Sequence, residues 1–169
     1  PDTENYNNEI EYLTYCEPRN EKIKKLATSL NKNVLILVDR INQGEHLKQI
    51  LENETNKKIY FIRGSMDVDD RAKIIAEMEQ SDDVICIAMS KIFSVGINIR
   101  NLHYCIFYYI GKAWYKIIQS VGRGLRLHER KTEFIIFDIC DSLIYSSKHA
   151  EERKKVYENQ KIDYKVYDI

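Results

Sequence analysis

Three side chains near the end of the sequence are spaced for phosphate chemistry: Gln119, Arg123 and Arg126. On an α-helix they share one face, while Trp114, Ile117, Val121 and Leu125 line another. A guanidinium group is planar, always charged and able to bond two oxygens at once, so a pair of them on a rigid element suits phosphate. Gly122 and Gly124 lie among them. Each interior helix glycine costs ~1 kcal/mol relative to alanine, and what it leaves is room for a bulky partner. On spacing alone, an ordinary solvated basic helix end is an equal reading.

A second set of residues sits where apolar runs end. Ser90 and Lys91 follow VICIAM, Arg40 follows VLILV by one residue, and Arg63 and Gly64 follow IYFI. Gly96 and Asn98 lie just beyond, in SVGIN. Hydroxyl, ammonium, guanidinium and backbone N–H groups all donate to phosphate oxygens. Gly64 and Gly96 fit close backbone approach to a ligand; Gly44 opens a helical stretch and Gly111 ends a strand, and turn chemistry covers both. Charged residues at strand ends are also common surface residues, and Asn98 is at home in a turn. The chain has only six glycines, against about twelve at average usage, so each position calls for a physical reason.

These residues need elements to position them. Residues 34–38, 59–62, 84–89, 104–110 and 134–139 are short apolar runs, rich in β-branched and aromatic residues. They do not alternate, as expected of strands buried on both faces. Helical spacing marks residues 21–30, 67–80 with Asp67 as N-cap, 113–127 and about 147–160. Residues 12–15 read as a short strand, and residues 1–11 as a polar arm or linker. Strand–helix alternation with short connections predicts an α/β domain with a mostly parallel sheet over residues 12–169, and ligands at the carboxyl ends of its strands.

Composition narrows the classes. The 169 residues carry 26 Lys+Arg and 26 Asp+Glu, with 44% hydrophobic residues. That excludes wholesale disorder and a uniformly basic coat protein. Zero net charge averages opposed regions: residues 111–131 hold six basic residues against one acid, residues 67–83 seven acids against two bases. Cys16, Cys86, Cys105 and Cys140 form no CxxC pair, so reduced, core-packed thiols of a cytoplasmic protein are expected and a metal site is not. No run approaches the ~18 residues of a membrane span. The sequence begins with Pro1, and a piece of a longer protein is expected.

Taken in order, these segments resemble the second motor domain of superfamily 2 helicases. QSVGRGLR (residues 119–126) matches the family's motif VI, QxxGRxxR, at its fixed positions. SKIFSVGIN (90–98) looks like motif V, with Ser90 for Thr and Asn98 for Asp. VLILVDRINQGEHL (34–47) is similar to motif IV and its helix, and FIRGSMDVDDR (61–71) resembles the strand–Gly-Ser–helix segment. A narrower likeness is to phage recombination and repair DNA helicases of the UvsW type, whose closing helix and strand the last 22 residues resemble.

The resemblance implies a RecA-like three-layer domain with helices on both faces of the sheet. It implies ATP with Mg²⁺, held mainly by an N-terminal RecA-like domain of the same chain. Arg123 and Arg126 would be arginine fingers, with Gln119 orienting the nucleotide and Gly96, Asn98 and Gly122 lining its site. Asn98 lacks the charge of the usual Asp. DNA, single-stranded or branched, would lie on Ser90, Lys91, Arg40, Arg63 and Gly64; RNA is a further possible partner. The phosphate loop GxxxxGK[ST] does not occur in these residues, so this chain alone is expected to be inactive on ATP. If phage-encoded, it would work in the host cytoplasm. Two readings compete: a motor half of a restriction translocase or RNA helicase, and a non-catalytic phosphate- or protein-binding α/β module.

Overall fold

A computed structural model describes residues 2–94, 99–111, 115–119 and 134–169. The elements run α1 (Asp2–Tyr15), α2 (Glu17–Ser29), β1 (Val34–Val38), α3 (Ile41–Glu54), β2 (Lys58–Ile62), α4 (Val68–Gln80), β3 (Val84–Met89), α5 (Ser90–Ser94) and β4 (Tyr104–Phe107). Residues 115–119 are helical (α6), and then come β5 (Ile135–Asp138) and α7 (Ile144–Asn159).

The five strands form one parallel sheet in the order β2-β3-β1-β4-β5. Parallel neighbours need crossovers, and helices supply them on both faces. The sheet therefore has two cores. Val34, Ile36 and Val38 point into one with Ile10, Leu13, Ile23, Ala27, Leu47 and Leu51, under α1–α3. Leu35 and Leu37 point into the other with Ile74, Met78, Ile92, Ile117, Ile118 and Tyr157. Burial on both faces is why these strands show no alternation. It is also why the central five residues VLILV are wholly buried.

The strand expected over residues 104–110 pairs only as far as Phe107, because β5 gives partners to Tyr104–Phe107 alone. Asp67 caps α4 as expected, its side chain accepting the Asp69 N–H at 2.9 Å. The amino end departs most from expectation. Residues 2–15 are one helix, not a polar arm followed by a strand. Ile10 and Leu13 are three residues apart and both buried, so tertiary packing on the sheet decides the conformation. Cys86 and Cys105 are core thiols, whereas Cys140, expected in the core, is exposed.

Two glycines read as turn residues prove to be close-packing sites. Gly44 lies in the first turn of α3, and a Cβ there would collide with the Phe61 ring. A Cβ on Gly111 would fall 2.7 Å from Asp39 Oδ2.

Candidate functional site

Because every strand runs the same way, all five carboxyl ends meet at one edge. Register decides which residues become neighbours there. Val38 pairs with Met89, so the next residues along, Asp39 and Ser90, emerge side by side. The Ser90 hydroxyl donates to Asp39 Oδ1 at 3.1 Å. Ser90 is itself buried, at 1% exposure. Its hydrogen is thus spent on a carboxylate, and in this arrangement it does not face outward toward a phosphate as the sequence suggested. Lys91 follows it in α5 and is exposed.

Arg40 stands at the start of α3, where the Gln43 side chain turns back to accept the N–H groups of Asp39 and Arg40, both at 3.0 Å. This satisfies two backbone donors at the end of β1 with one buried amide oxygen. Arg40 Nη2 donates to Asn7 Oδ1 of α1 at 2.6 Å. Arg63, at the end of β2, is ion-paired with Glu45 of α3 and lies 5.2 Å from the centre of the Phe61 ring. Gly64 has nothing within 4 Å of a Cβ position, so its backbone is open to approach. Arg40, Arg63, Gly64, Ser90 and Lys91 thus all lie on the carboxyl edge.

Gln119 is exposed, while Ile117 and Ile118 before it are buried. Of the expected apolar stripe, Ile117 is buried as expected, and Trp114, Val121 and Leu125 lie outside the described residues. Arg123, Arg126, Gly122, Gly96 and Asn98 lie outside the described residues.

Sequence reasoning missed a braced ion pair at the end of β5. Arg153 of α7 grips Asp138 with Nε and Nη2, both at 2.8 Å, and the Tyr157 hydroxyl donates to the same carboxylate at 2.8 Å. Burial, then the Asp138 charge, pushes the Tyr157 hydroxyl pKa up. A second pair, Arg19 with Asp141, is bidentate at 2.8 and 3.0 Å, with the guanidinium 4.4 Å from the centre of the Tyr108 ring. Such buried charges hold α2 and α7 to the sheet end; nothing in local spacing announced them. Among the described residues no His/Cys/Asp/Glu group is arranged to hold a metal, and no helix is long and apolar enough to cross a membrane.

A parallel five-stranded sheet with helices on both faces and its candidate residues along one carboxyl edge is a RecA-like α/β domain. The helicase conserved C-terminal domain model matches residues 18–128. The chain belongs to that family, and its architecture is that of a superfamily 2 helicase C-terminal domain. Over 153 residues it is 30% identical to the ATP-dependent DNA helicase uvsW of Enterobacteria phage T4, covering 89% of this chain and 30% of the relative. It is also 30% identical over 152 residues to the putative helicase 161L of Invertebrate iridescent virus 6, covering 82% and 34%. The crystal structure of T4 UvsW superposes with a TM-score of 0.76 at 26% identity, over 92% of this chain and 35% of that one. The chain spans about a third of the length of the curated relatives it matches.

Proposed function

We propose that this chain is the second motor domain of an ATP-dependent DNA helicase or translocase that remodels branched DNA in recombination or repair. In this reading ATP with Mg²⁺ is held mainly by a first RecA-like domain joined to this one. Arg123 and Arg126 reach its γ-phosphate and stabilise the charge that spreads over the equatorial oxygens in the transition state. Gln119 orients the nucleotide, and Gly96, Asn98 and Gly122 line its side of the cleft. Lys91, Arg40, Arg63 and the Gly64 backbone track DNA phosphates without reading sequence, with Ser90 anchoring the start of α5 beside them.

The observation that carries the reading is the family match over residues 18–128, which spans the segments resembling motifs IV to VI in order. The exposed Gln119 and the basic carboxyl edge are consistent with it. The test is gain of function by joining. This chain alone is expected to hydrolyse ATP negligibly. Fused behind a first motor domain carrying a phosphate loop, it is expected to give ATP hydrolysis that DNA stimulates. A joined protein whose hydrolysis equals that of the first domain alone, with or without DNA, overturns the proposal.

A further inference from the structure

The Asp39 carboxylate is an odd group to find at an edge expected to meet phosphates, since it would repel them. Its surroundings give it another use. One oxygen accepts the Ser90 hydroxyl at 3.1 Å. The other lies so close to the Gly111 backbone that a Cβ there would come within 2.7 Å of it. The φ of Gly111 lies outside the left-handed region, so the glycine is required for space and not for conformation. Tyr6 of α1 closes the same corner, its hydroxyl 3.3 Å from that Cβ position.

Ser90 opens the segment that runs through Gly96 to Asn98. Gly111 opens the segment that runs to Gln119, Arg123 and Arg126. We propose that Asp39 is a positioning residue whose one carboxylate fixes the first residue of each segment, Ser90 by a hydrogen bond and Gly111 by close packing. The starts of the two segments, which the proposed function gives to the nucleic-acid and nucleotide sides, then keep a single relative placement. The sense given to these two sides rests on the function proposed above, while the mechanical link between them stands on the geometry of this chain alone.

A cycle of variants separates the two. Gly111→Ala is expected to push the carboxylate aside, lower the urea midpoint and speed amide exchange in Ser90–Ser94, although the substitution is distant in sequence. Asp39→Ala removes the nearest obstacle and leaves only the Tyr6 hydroxyl at 3.3 Å, so Gly111→Ala in that background is expected to add much less than it costs alone. Asp39→Asn keeps an acceptor for Ser90. Exchange in Ser90–Ser94 is therefore expected near wild type in Asp39→Asn and about fivefold faster in Asp39→Ala, the effect of one net hydrogen bond.

In the joined two-domain protein, the DNA concentration for half-maximal stimulation of ATP hydrolysis is expected to rise in Asp39→Ala and to be restored in Asp39→Asn. Additive losses from Gly111→Ala and Asp39→Ala, or equal exchange in the Ala and Asn variants, would falsify the link. A joined protein without DNA-stimulated hydrolysis would instead sink the proposed function and leave the stability cycle standing.

Discussion

Glu9 of the first helix caps the last one: its Oε1 accepts the Ser146 N–H at 2.7 Å and its Oε2 the Tyr145 N–H at 3.0 Å. The residue preceding α7, Leu143, offers no side-chain cap of its own. A carboxylate at a helix amino end satisfies orphan donors and complements the helix dipole. Tyr6 adds edge-to-face ring contacts with Tyr145 and His149. Glu9→Ala is expected to cost about 1–2 kcal/mol, read as a lower urea midpoint, with Glu9→Gln losing less. An unchanged midpoint would mean that the cap contributes nothing.

The central strands were legible because a parallel strand buried on both faces can contain little except β-branched, aliphatic and aromatic residues. The helix of residues 67–80 was legible from periodicity and its Asp67 cap, and the last helix, expected at about 147–160, begins three residues earlier, at Ile144. Helix α1 was not legible: its residues are mostly polar, Tyr12–Tyr15 has strand composition, and the burial of Ile10 and Leu13 against the sheet is what its local sequence does not announce. The site divides likewise. Arg40, Arg63 and Lys91 lie at the carboxyl edge because chain order alone puts residues that follow parallel strands there. That Ser90 would be spent on Asp39, and that Gly111 would be packed rather than turned, depends on strand register and a crossover.

The pair of Arg153 and Asp138 has side chains only 5% and 15% exposed. Removing one partner of such a pair strands the other charge, at a cost of about 3–5 kcal/mol. Arg153→Met is therefore expected to destabilise the chain by that order in equilibrium unfolding. Asp138→Asn combined with Arg153→Met is expected to recover part of the loss. A single variant within experimental error of wild type would contradict the assignment.

Burial raises the pKa of several neutral acids. The Cys86 thiol and the Tyr108 hydroxyl are each pushed up to about 12, and Cys105, Tyr109 and Tyr157 are raised as well, burial being the largest cause in every case. A group whose folded pKa exceeds its unfolded value stabilises fully below the unfolded pKa and loses that contribution as pH rises toward the folded one. Stability is therefore expected to fall as pH climbs from about 8.5, where free thiols ionise, through about 10, where free tyrosines do. Urea midpoints at neutral and alkaline pH check this. A thiol reagent is expected to label Cys140 in the native chain, and Cys86 and Cys105 only on unfolding. Rapid native labelling of the latter two would overturn their placement.

The basic edge makes a salt-dependent contribution if it tracks phosphates. Lys91→Ala and Arg63→Ala are each expected to weaken DNA binding across sequences alike and to reduce the slope of log affinity against log salt by roughly 0.7–0.9. Arg63 is paired with Glu45, so Glu45→Gln is expected to tighten binding by freeing the guanidinium. Slopes unchanged in both basic variants would place the DNA elsewhere.

In the proposed function this domain completes an ATPase by lending arginines to a nucleotide held by another domain. The most direct measurement compares DNA-saturated ATP hydrolysis by the joined two-domain protein with and without Arg126→Ala. A drop of about 10³-fold or more in turnover, with folding and DNA binding intact, is the expected result. Turnover within a few-fold of the unsubstituted protein would contradict it.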